Sequence, residues 1–238
     1  MPTPAKDWKD WIDRLPRDRC IAEFSLWSAR LTRLCEDLAR IDPHADVLHL
    51  DVADGRFAPT YLFFPDLVAQ ICKETSVPIH VHLMVEDDDL VDQAEQFAEA
   101  GADLISIHVE NAAVAGAAFD VLENAGVACG MVVRVETPVA ELKPFLPSLD
   151  FITLLGTAIG VKGQDLDPSA TGRLAQATEL LAGLNDGKRR VLAADGAIRD
   201  HTVPKLIAAG AQSVVLGSLA FGADDLAARM DWLAAQRA

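Results

Sequence analysis

Apolar positions along the chain alternate between two rhythms. Short apolar or every-other-residue runs stand at 21–27, 47–52, 78–85, 104–109, 128–135, 151–155, 191–194 and 213–216, and between most of them lie longer amphipathic stretches ending on Ala-Gly or a similar stop. The short runs read as strands and the long ones as helices, and their repeated alternation predicts βα units around a parallel sheet. Eight strands point to an α/β fold closed as a (β/α)8 TIM barrel. Gly101, Gly126 and Gly210 each follow an Ala-rich helical stretch and suit the left-handed position past a helix end. Pro138 and Pro204 suit helix starts, where a missing N–H costs little.

Before the first strand, Trp8, Trp11, Ile12 and Leu15 fall at i, i+3, i+4 and i+7. This predicts a short N-terminal helical extension over 1–19, ahead of a single catalytic barrel domain over 20–238. The helix suits a cover for the barrel bottom or a subunit interface. Because 238 residues are what one α/β barrel takes, no second compact domain is required.

The chain carries 36 acidic against 21 basic side chains, a formal charge of −15. Its field repels nucleic-acid backbones and anionic lipid surfaces, so neither is expected as a partner. No apolar run reaches the ~20 residues that span a bilayer, and the first sixteen residues lack a secretory apolar core. Cys20, Cys35, Cys72 and Cys129 are scattered without C-x-x-C spacing, as expected for buried thiols in a reducing, cytoplasmic setting, with a disulfide pair as the alternative.

Chemistry shows where polar residues interrupt strands that a barrel buries on both faces. Period-two geometry puts His49 and Asp51 on one face of the second strand, and His80 and His82 on one face of the third. The seventh strand runs into Asp195. Taken singly, each of these is equally a satisfied core histidine or a capping aspartate. Taken jointly, His49, Asp51, His82 and Asp195 converge at the C-terminal mouth, where barrel enzymes hold their catalytic groups. Imidazole with carboxylate suits a first-row divalent ion such as Zn, Fe or Mn. Gly217 and Ser218 lead from the last strand into a helix and offer backbone N–H groups and a helix dipole to a phosphate. Gly196, Gly160 and Gly163 add further amides, and Lys162 a local positive charge. His108 is read as a neighbour of the site or a satisfied core histidine, and His44 and His201 as surface residues.

These motifs resemble the ribulose-phosphate 3-epimerase family. The resemblance is carried by H-L-D-V-A-D-G at 49–55 with F-A-P after it, H-L-M-V at 82–85, A-G-A-D-L-I-S-I-H-V-E at 100–110, D-G at 195–196 and G-S-L-A-F at 217–221. It implies an isomerase of carbohydrate metabolism and the pentose phosphate pathway, inverting C3 of a phosphorylated ketose. It also implies one divalent metal, Zn, Fe, Mn or Co, held by His49, Asp51, His82 and Asp195. Asp51 and Asp195 would be the acid/base pair acting on opposite faces of a metal-stabilised enediolate. Ser25, His82, Met84, Gly160, Gly163, Gly196, Gly217 and Ser218 would contact a small phosphorylated sugar. A homo-oligomer is expected.

The chain departs from the family pattern in places. His80 stands where an acidic residue is usual, Ala197 where a second glycine is, and Ala53 and Arg56 replace the usual residues of M-D-G-H-F. Lys162 replaces a glycine of the phosphate loop, which reads A-I-G-V-K-G-Q at 158–164, and Glu23 faces inward where a small or apolar residue is usual. Two further readings stand beside the epimerase: a phosphoketose isomerase or aldolase of the same superfamily, and a non-catalytic sugar-phosphate-binding barrel.

Overall fold

A computed structural model describes residues 8–236. The first seven residues of the expected extension, and the side chain of Trp8, lie outside the described residues. Eight strands, β1 (Ile21–Ser25), β2 (Val47–Ala53), β3 (Ile79–Met84), β4 (Leu104–His108), β5 (Ala128–Val133), β6 (Phe151–Leu155), β7 (Val191–Asp195) and β8 (Ser213–Leu216), form a closed parallel barrel in sequence order. The expected (β/α)8 barrel is the observed one, and the strand ends fall within about two residues of those read from the sequence.

The helices are α1 (Trp8–Arg14), α2 (Leu34–Ile41), α3 (Pro65–Glu74), α4 (Asp87–Ala100), α5 (Ala115–Ala125), α6 (Ala170–Ala182), α7 (Val203–Ala208), α8 (Ser218–Phe221) and α9 (Leu226–Ala234). Gly101 and Gly126 close α4 and α5 in the left-handed conformation, with φ of 105° and 70°. The connection from β5 to β6 differs from expectation. It contains a 3-10 turn, Val139–Leu142, in place of an α-helix. Pro138, Pro144 and Pro147 remove three N–H donors from that segment, which prevents a helical ladder.

Strand alternation sorts the core into two clusters. Leu48, Leu50, Val52, Val81 and Leu83 point outward and are buried under the helices. Fully burying such side chains contributes about 1.5–3 kcal/mol each. At the barrel bottom Ile21, Val47, Leu104, Ala128, Phe151 and Val191 pack with Trp11, Ile12 and Leu15 of α1 and the turn after it. The Arg189 guanidinium anchors that helix by donating to the carbonyls of Ile12, Asp13, Leu15 and Pro16, at 2.5–3.1 Å. The bottom is thus closed by apolar packing, and the polar interior residues lie above it toward the mouth.

Among the described residues no disulfide joins any of the four cysteines. Cys20 and Cys129 are buried as expected, but Cys72 is only half-buried, and Cys35 is exposed because it sits on the solvent face of α2 beside the buried Asp37–Leu38 pair. No described helix is long and apolar enough to cross a membrane.

Candidate metal centre and substrate cavity

The β2–β3 register builds the centre. Parallel pairing sets His49 against His80 and Asp51 against His82, so the two polar pairs predicted from alternation lie side by side. Asp195 arrives from β7 at the end of its strand. One ligand atom from each of His49, Asp51, His82 and Asp195 lies within 4.8 Å of the others. Asp51 Oδ1 is 3.2 Å from His49 Nε2 and 3.2 Å from His82 Nδ1. Two ligands held at ~2.0–2.2 Å from one tetrahedral ion stand a little over 3 Å apart, so donor type and spacing both fit a divalent metal.

The two carboxylates sit in unequal surroundings. Burial opposes ionisation of Asp51, yet His49 and His82 outweigh it and hold its carboxyl far below the usual range. Ser25 Oγ adds a hydrogen bond to Asp51 Oδ2 at 3.0 Å. Asp195 is raised to about 6, first by burial, with the Asp51 charge adding to it and His49 opposing. Two carboxylates driven apart in this way suit opposite roles in proton transfer. Burial works against the His49 imidazolium, but Asp51 and Glu23 carry its pKa well above the ordinary value.

Both histidines of the cluster have their remaining ring nitrogens occupied. His49 Nδ1 meets Glu23 Oε1 at 2.6 Å, and His82 Nε2 meets His108 Nε2 at 2.8 Å. His108 Nδ1 in turn lies 3.1 Å from Glu110 Oε2. The two readings offered for His108 therefore converge: it is fully buried and satisfied, and it touches a residue of the cluster. His80, which shares the interior face with His82, does not join it. Its Nδ1 lies 2.5 Å from Glu23 Oε1 and its Nε2 2.7 Å from Ser106 Oγ. Burial drives the His80 pKa down to about 4, with Glu23 only partly opposing, so the ring is neutral. Glu23 and His80, two departures from the family pattern, are thus each other's partners. Period-two counting along β1 and β4 flags Glu23 and His108 as inward-facing; it cannot say which residues they meet.

Above the cluster opens a cavity of about 300 Å³, the size of a small-metabolite site. Ser25, Asp51, His82, Met84, Gly160, Gly163, Asp195, Gly196, Gly217 and Ser218 all line it. His49 does not: it is fully buried behind Asp51. Trp27, Thr157, Lys162 and Arg199 also line the cavity. Of these the sequence signalled Lys162. Its ammonium donates to the Trp27 carbonyl at 2.5 Å and stands 4.5 Å over the Trp27 ring, bridging two loops across the mouth. Arg56 lies elsewhere, exposed and 3.9 Å from Asp89. His201 is exposed and His44 half-buried.

The phosphate cradle differs in one respect from expectation. The helix after Gly217 is the four-residue α8, too short for a substantial dipole, so what the segment offers an anion is its local amides. Gly196, at φ 95°, has no room for a side chain, since a Cβ would stand 2.4 Å from Thr157 Oγ1. Ala197, where the family pattern has glycine, keeps the left-handed conformation at φ 52°. The D-G-R-F segment after β2 has a structural reason. Asp54 accepts from the N–H groups of Arg56, Phe57 and Glu86 at 2.7–2.9 Å, and this fold of the loop lays Phe57 against His108 with ring centroids 4.8 Å apart.

A family model described as the ribulose-phosphate 3 epimerase family matches residues 21–221. The chain is 32% identical over 191 residues to a ribulose-phosphate 3-epimerase of Aquifex aeolicus, covering 80% of this chain and 84% of that protein. It is 33% identical over 204 residues to ribulose-phosphate 3-epimerase 1 of Cupriavidus necator, covering 84% of each. Among solved structures, a 3-hexulose-6-phosphate synthase superposes with a TM-score of 0.64 at 17% identity, covering 92% of this chain and 100% of that one, a likeness of fold.

Proposed function

The chain belongs to the ribulose-phosphate 3-epimerase family of isomerases, and from that premise we propose that it inverts C3 of a phosphorylated ketose, D-ribulose 5-phosphate or a related ketose phosphate. Asp51 and Asp195 are the acid/base pair, and His49, Asp51, His82 and Asp195 hold the divalent metal. The observation that carries the reading is the meeting of two imidazole nitrogens and two carboxylate oxygens within 4.8 Å, three of the four residues lining a closed-bottom cavity.

A bound Zn, Fe, Mn or Co ion supplies Lewis-acid stabilisation of the negative charge that develops on the substrate oxygens once the C3 proton leaves. The chain's own groups move the protons. Asp51, kept ionised by its histidine neighbours and by Ser25, takes the C3 proton on an oxygen facing the cavity. Asp195, with its raised pKa, delivers a proton from the opposite side, and the roles exchange in the reverse direction. Met84 covers the apolar side of the sugar. Amides at Gly196, Gly217 and Ser218, with the Gly160 and Gly163 turn, receive the phosphate. This reconciles an anionic substrate with a chain of charge −15. None of the eight strands contains a lysine, which leaves the isomerase and aldolase reading without the strand-end lysine it calls for.

The test is exchange of the C3 proton with deuterated solvent, screened over four-, five- and six-carbon ketose phosphates. We expect exchange and epimerisation with one of them, about one equivalent of divalent metal per chain, and loss of epimerisation in Asp195→Asn with the fold intact. Undiminished epimerisation in that variant overturns the acid/base assignment. A protein that binds no metal and gains no activity from added metal favours the sugar-phosphate-binding reading.

A further inference from the structure

We propose that Glu23, on β1 in the barrel interior, is a positioning residue that fixes which nitrogen His49 presents to the metal. The inference rests on the metal site of the preceding section and concerns a residue outside the ligand set. Glu23 is fully buried. A buried carboxylate must be matched by donors, and the hydrogen bonds around this one are specific. Oε1 accepts from His49 Nδ1 at 2.6 Å and from His80 Nδ1 at 2.5 Å, while Oε2 accepts from Ser213 Oγ at 3.1 Å. A carboxylate only accepts, so both rings carry their proton on Nδ1. For His49 this leaves Nε2, 3.2 Å from Asp51 Oδ1, as the nitrogen that faces the cluster and would hold the metal through its lone pair.

His80 braces the arrangement. Its Nε2 is taken by the Ser106 hydroxyl, and Gly130 on the next strand leaves the space for that hydroxyl, since a Cβ there would stand 1.9 Å from Ser106 Oγ. The chain Ser106, His80, Glu23, His49 thus runs through the barrel interior to the metal cluster from β4 by way of β3, β1 and β2. Glu23, His49 and His80 also bring three ligand-type atoms within 4.8 Å of one another. Their 2.5–2.6 Å separations are hydrogen-bond lengths, shorter than two ligands keep at ~2.0–2.1 Å from one tetrahedral ion, so this trio orients and does not ligate. Carboxylates that hold the far nitrogen of a metal-bound histidine typically contribute 10- to 100-fold in metal affinity.

The test titrates metal-depleted protein with zinc and with cobalt. Glu23→Gln keeps the size of the side chain and removes the charge; we expect its zinc affinity to fall about 10- to 100-fold and the visible bands of the cobalt form to shift. Ser213→Ala removes a donor to Glu23 without touching His49 and is expected to bind zinc like the wild type. On the zinc-loaded wild type, long-range proton–nitrogen spectra are expected to find His49 protonated on Nδ1, a readout that does not depend on any variant folding. Wild-type affinity and cobalt spectrum in a folded Glu23→Gln protein, or His49 protonated on Nε2, overturns this inference alone. A wild type that takes up neither metal overturns the metal reading, and this inference with it.

Discussion

His82 and His108 face each other Nε2 to Nε2 at 2.8 Å, so only one of the two rings carries a proton there. Glu110 decides which. Its carboxylate can only accept, which fixes the His108 proton on Nδ1 and leaves His108 Nε2 to receive the proton of His82 Nε2. Burial drives the His108 pKa down to about 3, keeping the ring neutral. His82 Nδ1, 3.2 Å from Asp51 Oδ1, is then the nitrogen that faces the cluster and would hold the metal through its lone pair. His108→Phe keeps a ring and removes the acceptor. We expect metal affinity to fall about tenfold or more, measured by zinc titration, with helical and strand content unchanged by circular dichroism.

Ser25 donates to Asp51 Oδ2 from the neighbouring strand. A hydrogen bond to a charged group contributes ~1.5–3 kcal/mol, so Ser25→Ala is expected to slow C3 proton exchange at least about tenfold. Metal content, by elemental analysis, should stay at the wild-type level, since Ser25 reaches Asp51 Oδ2 and leaves the Oδ1 that faces His49 and His82 untouched.

Gly196 and Ala197 adjoin, both with positive φ, but only one is sterically committed. Gly196→Ala combines a left-handed backbone with a Cβ 2.4 Å from Thr157 Oγ1 and is expected to cost more than about 1 kcal/mol, seen as a Tm lowered by several degrees. Ala197→Gly relieves about 1 kcal/mol of backbone strain and frees the unfolded chain by a similar amount, so its Tm is expected to move little.

Glu110 supplies a pH-dependent increment of stability. Burial opposes its ionisation, but hydrogen bonds from His108 and Thr137 hold its carboxyl at about 2, below the ordinary 4.5. A depressed carboxyl contributes fully above the unfolded value and loses its contribution as pH falls toward the folded one. The difference in urea midpoint between the wild type and Glu110→Gln is therefore expected to be constant from pH 7 to about 5 and to shrink from there toward pH 2. A difference independent of pH would mean that the charge plays no part.

The sequence by itself determined the alternation of eight strands with helices, the closed-barrel class, and the inward face of each strand, because side-chain direction along a strand has period two and needs no partner to define it. That rule brought His49 with Asp51, and His80 with His82, to the interior before any neighbour was known. Tertiary structure decided which inward residues meet. Glu23 lies 26 residues from His49, 57 from His80 and 190 from Ser213, and only barrel closure and strand register bring them together. The same register separated His82, which faces the cavity, from His80, which braces Glu23, though the two are identical in the local pattern. Pro138 reads as a helix start by itself, and only together with Pro144 and Pro147 does it mark the missing helix between β5 and β6, whereas the exposure of Cys35 depended on how α2 docks against the barrel. Local periodicity fixes direction; contact between distant strands is fixed only when the sheet closes.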